Sequence, residues 1–142
     1  VAHAVTNLRC LRDSIDGGDF FTGFGQAVDG DILEAWNDAR SRVSTTLDAA
    51  ADVDTAVVGG NQVPLGMIVD GLTRDLVIHT WDLARAVGGD EQLPEDLVTV
   101  ATRSMADIEP DQRVPGLYGQ ELDVPAGADA QARLLALSGR TA

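Results

Sequence analysis

The stretch from about Leu65 to Val87 constrains the fold most. It is the most hydrophobic helical segment in the chain, and Gly88-Gly89 ends it. A helix of that kind needs other helices to cover it, which places it at the centre of a bundle. Within it, Arg74-Asp75-Leu76-Val77-Ile78-His79-Thr80-Trp81-Asp82-Leu83-Ala84 sets Asp75, His79 and Asp82 at spacings of four and three. Such spacings put side chains on one helical face, about 5–6 Å apart at Cβ. Burying three ionisable groups together for packing is unfavourable, because an unpaired buried charge is strongly destabilising. A metal ion resolves that conflict, since carboxylate and imidazole both ligate zinc and its neighbours. The competing explanation is local: an Asp four residues before a His can simply accept its N–H, in a pair worth about 0.2–0.5 kcal/mol.

Periodicity supplies the other elements. A first helix covers about residues 1–15 with no capping side chain ahead of it, and Asp16-Gly17-Gly18 stops it. Phe20-Phe21-Thr22-Gly23-Phe24-Gly25 reads as a glycine-broken aromatic loop. A second helix runs from Gly30 or Asp31 to about Ala50, with Ile32, Leu33, Trp36, Val43 and Leu47 as its apolar stripe. Thr55 to Val58 is a short extended piece before the Gly59-Gly60-Asn61 turn. Pro94 opens a fourth helix that reaches about Ile108. Arg113 to Pro125 reads as a loop, and Asp129 to Ser138 as a last short helix closed by Gly139. Neither half carries a hydrophobic core of its own, so residues 1–142 are expected to form a single domain.

With apolar residues at 44% and aromatics at 4%, the core must rest on Leu, Val, Ile and Ala, as helix bundles often do. The net charge of −13 argues against nucleic acid or an anionic membrane surface as partner. No apolar run reaches the roughly 18 residues that cross a bilayer. Cys10 is the single cysteine, so no intrachain disulfide forms and a cytoplasmic, reducing setting fits. Arg9 and Arg12 beside it can lower its pKa, but a buried, inert thiol is the better reading.

The chain has two histidines, and the other is His3, among Val1, Val5 and Leu8 of the first helix and expected to face the core. His3 on one helix with Asp75 and His79 on another makes a three-ligand set if those helices are neighbours, which is how bundle metal sites are built. Three protein ligands leave a position open for water or substrate.

Further motifs extend this reading. They are Val1-Ala2-His3-Ala4-Val5, Asp75 to Gly88, Leu93-Pro94-Glu95-Asp96-Leu97, Arg113-Val114-Pro115-Gly116-Leu117-Tyr118-Gly119, and the tail Arg133 to Arg140. Through them, with His79-Thr80-Trp81-Asp82-Leu83-Ala84 the most specific, the chain resembles the DinB-like metal-binding proteins of actinobacteria. More narrowly, it resembles the branch related to mycothiol-dependent maleylpyruvate isomerase.

The resemblance implies an all-α, DinB-like bundle with a four-helix core and a short C-terminal loop and helix. It implies a helix ahead of the one bearing His3, which this sequence lacks. If that helix is absent, a partner chain fills the gap, as in a homodimer. The family's metal ligands fall on His3, Asp75 and His79, although the middle ligand is usually Glu, one methylene longer than Asp75. The implied cofactors are a divalent metal, most often zinc, and mycothiol or a similar thiol held as thiolate. The implied activity is a thiol-dependent transferase or isomerase acting on a small electrophilic substrate. Asp82 is placed to orient a ligand or bind a substrate hydroxyl, and is equally an ordinary polar contact. Arg113 is placed to hold an anionic substrate, and is equally a surface residue. Trp81 is expected in the core. The alternative function is non-enzymatic: a DinB-like bundle that binds a metal, a small ligand or a partner.

Overall fold

The computed structural model describes residues 1–106, 108, 119–124 and 126–141. Arg113, with the motif that begins at it, lies outside the described residues except for Gly119. The described chain is predominantly helical, in the all-α class. Its helices are α1 (Ala2–Ile15), α2 (Ile32–Ala49), α3 (Leu65–Val87), α4 (Glu95–Ala106) and α5 (Ala130–Leu137). The extended piece β1 (Thr55–Val58) pairs antiparallel with β2 (Asn61–Pro64). No helix among the described residues is long and apolar enough to cross a membrane.

Helix boundaries follow local chemistry. The Asp31 carboxylate accepts the backbone N–H groups of Leu33 and Glu34, each at 2.9 Å, and so starts α2. Asp129 does the same for α5 through Ala132 N–H at 2.7 Å. At the end of α3, Gly89 N–H bonds Ala84 O at 2.7 Å and Gly88 N–H bonds Arg85 O at 3.3 Å, which satisfies carbonyls left over by the last turn. The strand β2 is not evident in its composition, because Asn, Gln and Pro are poor strand formers. It forms because the Gly59-Gly60 turn folds it back onto β1, pairing Val58 with Asn61 and Ala56 with Val63.

The chain divides into two compact units, Val1–Val69 and Asp70–Ala142. In the first, α1 packs beside α2, and β1 and a short 3-10 turn at Phe20–Thr22 lie against α1. Val5, Leu8, Leu11, Phe20 and Ala56 are buried there. The buried stripe of α2 is Ala35, Ala39 and Val43, whereas Ile32 and Leu33 are exposed. Of the expected stripe, Val43 is buried and Trp36 and Leu47 are half-buried, while Ile32 and Leu33 are corrected to the outside: small side chains on the inner face allow close helix approach, and the bulkier residues of the first turn stay in solvent.

In the second unit, Val77 and Ile78 of α3 pack with Val98, Ala101 and Met105 of α4 and with Leu134 of α5. Leu93, Ile108 and Leu137 cover the edges of this cluster. Only Val77, Ile78 and Trp81 of α3 are buried, and Met67, Leu83 and Val87 are exposed. Hydrophobicity marked α3 as a central helix, yet much of its length keeps contact with solvent.

Candidate metal centre

Asp75, His79 and Asp82 do share one side of α3. His79 Nε2 lies 3.4 Å from Asp75 Oδ1, and His79 Nδ1 lies 2.9 Å from Asp82 Oδ2. A carboxylate at this site only accepts, so Nδ1 carries the proton and donates it to Asp82. Asp82 is held in turn by Arg140, whose Nε and Nη2 each donate at 2.7 Å to a separate oxygen of the carboxylate. That bidentate geometry is the strong form of an arginine–carboxylate contact.

The electrostatics agree with the geometry. His79 has its pKa raised, by the hydrogen bond to Asp75 first; partial burial opposes this, and Asp82 adds to the rise. Asp82 is held below the usual carboxylate range by the Arg140 hydrogen bonds first and by His79 as well, with burial opposing. The side chains are not deeply buried, with His79 46%, Asp75 27% and Asp82 34% exposed. This corrects the premise drawn from the apolar sequence context: the three groups stand at the edge of the fold, where water relieves much of the cost of placing them together.

The distances test whether an ion fits. Two donor atoms about 2.0–2.1 Å from a tetrahedral ion lie about 3.3–3.4 Å apart. The 3.4 Å between His79 Nε2 and Asp75 Oδ1 matches that edge and is, without an ion, a long, weak hydrogen bond. The donor set also fits, since a histidine whose far ring nitrogen donates to a carboxylate is the usual support for a metal-ligating imidazole.

His3, the third expected ligand, belongs to the first unit and is exposed rather than core-facing. Val5 and Leu8 take the buried positions of α1, while His3 Nε2 lies 3.0 Å from Asn7 Nδ2 and its ring meets Phe24 edge-on at 6.2 Å. Trp81 is buried, with the Arg85 guanidinium 4.7 Å above its ring. Cys10 is buried as well; burial first and then Asp13 push its thiol up, against a hydrogen bond from Gly23, so the flanking arginines do not activate it.

An apolar cavity of about 370 Å³ is lined by Leu76, Val77, Thr80, Leu93 and Leu97 among others. At 100° per residue, its α3 residues are centred roughly 110° around the helix from His79, on the side away from Asp75 and Asp82, so it belongs to a separate face.

Arg140 is the site residue that spacing does not reveal. It stands 58 positions from Asp82, and nothing local ties the two together. Comparison of the chain with family models, with curated proteins and with solved structures finds no match.

Proposed function

We propose that this chain is a DinB-like metal-binding bundle in which His3, Asp75 and His79 hold a divalent ion, zinc by its donor set. The observation that carries the reading is the 3.4 Å edge between Asp75 Oδ1 and His79 Nε2, with Asp82 braced on the far ring nitrogen. The sequence resemblance supplies the third ligand and the chemistry. Such an ion lowers the pKa of a low-molecular-weight thiol brought to it. The chain's own part is to hold three donors, leave one side open to solvent through the exposed His79, and keep its ring oriented through Asp82. The activity that follows is transfer or isomerisation of a small electrophilic substrate with mycothiol or a similar thiol as cosubstrate.

The test is metal analysis of the purified protein, zinc reconstitution, and calorimetric titration with a thiol, followed by rate measurements over a panel of electrophiles. Zinc retained at one per chain and turnover that needs the thiol support the reading. Absence of thiol binding, or equal rates with and without thiol, overturns it.

A second reading has its own support. Both ring nitrogens of His79 already face carboxylates, and Arg140 completes a row of alternating charge on a half-exposed surface. Such a row is stable without any ion, and the shorter Asp where the family usually has Glu points the same way. In that case the protein is a non-enzymatic bundle that binds a small ligand or a partner. A metal-free preparation that resists reconstitution decides for it.

A further inference from the structure

We infer that Arg140 is a positioning residue for His79, acting through Asp82. The inference rests on the metal-binding reading above and extends it to the C-terminal tail.

The path of the tail is set by backbone. Helix α5 closes with Gly139 N–H on Ala136 O at 3.0 Å and Arg140 N–H on Leu135 O at 2.8 Å. Gly139 has φ of 80°, and a Cβ placed on it would lie 2.7 Å from Gly119 Cα and 2.9 Å from Gln120 O. Only glycine serves there, both for its conformation and for the space. The chain leaves the helix at that point in one direction, which sends Arg140 back toward α3.

The guanidinium is then held from both ends. Nη1 donates to Ser138 O at 3.0 Å, which ties the group to its own helix terminus. Nε and Nη2 remain for the two oxygens of Asp82. A carboxylate that met only one histidine N–H would be free to turn about its own axis. Two parallel bonds from a planar fork fix its plane, and a lysine ammonium cannot copy that geometry. Asp82 Oδ2 takes both the Arg140 Nη2 proton and the His79 Nδ1 proton. With that oxygen fixed, the imidazole plane is fixed, and Nε2 is kept toward Asp75 Oδ1.

The experiment compares wild type, Arg140→Ala, Arg140→Lys, Asp82→Ala and the Arg140→Ala/Asp82→Ala double variant by zinc calorimetry. It adds nuclear magnetic resonance of the metal-free His79 ring. Arg140→Ala is expected to weaken zinc binding about 10-fold at unchanged stoichiometry, the lower end for an outer partner of a metal ligand. Arg140→Lys restores only part of that loss. In the Asp82→Ala background, loss of Arg140 adds nothing, because the path between them is already cut. In metal-free wild type the His79 Nδ1 proton exchanges slowly, and in Arg140→Ala it does not. A purely structural role for Arg140 lowers the melting temperature without the cancellation in the double variant. Equal zinc affinity and an unchanged ring proton in Arg140→Ala overturn the inference alone. A wild type that binds no zinc overturns the metal reading and the inference with it.

Discussion

Asp19 Oδ2 accepts the Gly60 N–H at 2.6 Å, across 41 positions of sequence. The other oxygen takes Phe21 N–H at 2.9 Å and Gly59 N–H at 3.1 Å. One carboxylate thus starts the 3-10 turn at Phe20 and clasps the tip of the β1–β2 hairpin.

These N–H groups, that of Phe21 first and that of Gly60 next, hold the Asp19 pKa below its ordinary value of 3.8. A carboxyl whose folded pKa is depressed contributes stability that is complete above the unfolded value and is lost as pH falls through the folded one. The window therefore opens just below pH 3.8 and extends downward. A carboxyl-carbon titration by nuclear magnetic resonance is expected to place the Asp19 midpoint below 3.8. Asp19→Ala is expected to melt at lower temperature than wild type at pH 7. A midpoint at or above the ordinary value contradicts this account.

Gly139→Ala tests the turn that aims Arg140. The left-handed conformation alone costs a non-glycine residue about 1–2 kcal/mol. The contact with Gly119 adds to that, since 2.7 Å is closer than a Cβ tolerates. Gly127 has a similar φ of 81° but open space around it, so Gly127→Ala bears the conformational part only. Denaturant midpoints should fall further for Gly139→Ala than for Gly127→Ala, and equal falls would mean that the tail moves aside freely.

The length of Asp75, the middle ligand of the proposed metal site, is open to direct trial. Asp75→Glu keeps the carboxylate and adds the methylene that the resembling family usually has there. It is expected to bind zinc at least as well as wild type by calorimetry. His79→Ala abolishes binding, and Asp82→Ala lowers affinity by about 10–100-fold while keeping the stoichiometry. On the metal-binding proposal, a chelator is expected to remove zinc from the wild type and added zinc to restore it. Equal losses in His79→Ala and Asp82→Ala would erase the distinction between ligand and support.

Cys10 should be silent in the native protein. Its thiol is buried and its pKa is raised. A disulfide reagent such as dithionitrobenzoate is expected to label it in denaturant and to leave it untouched in buffer at neutral pH. Rapid labelling of the folded chain would show that the packing around Cys10 on α1 opens readily.

Periodicity places all five helices of the described residues to within two or three residues, because capping aspartates and terminal glycines act locally. Asp31 and Asp129 as starts, and Gly88 and Gly139 as stops, needed no tertiary information. The second strand was missed for the opposite reason. Asn61 to Pro64 has no strand preference of its own, and only the turn ahead of it supplies a partner. The inner face of α2 is legible in the sequence at Val43, Trp36 and Leu47 but not in the first turn, because hydrophobicity ranks Ile32 and Leu33 above Ala35 and Ala39, whereas close packing against α1 selects the small residues.

What the sequence determined by itself is whatever short range decides: a helical chain, its boundaries, and three ionisable groups on one side of α3 at spacings of four and three. Tertiary structure decided what those groups meet. His79 proved half-exposed rather than buried, and Asp82 proved to be clamped by an arginine from the other end of the second unit. Burial and long-range pairing depend on how elements pack, and no local spacing carries that information. The bond between Asp82 and Arg140 exists because a glycine turn after α5 brings a distant guanidinium onto α3.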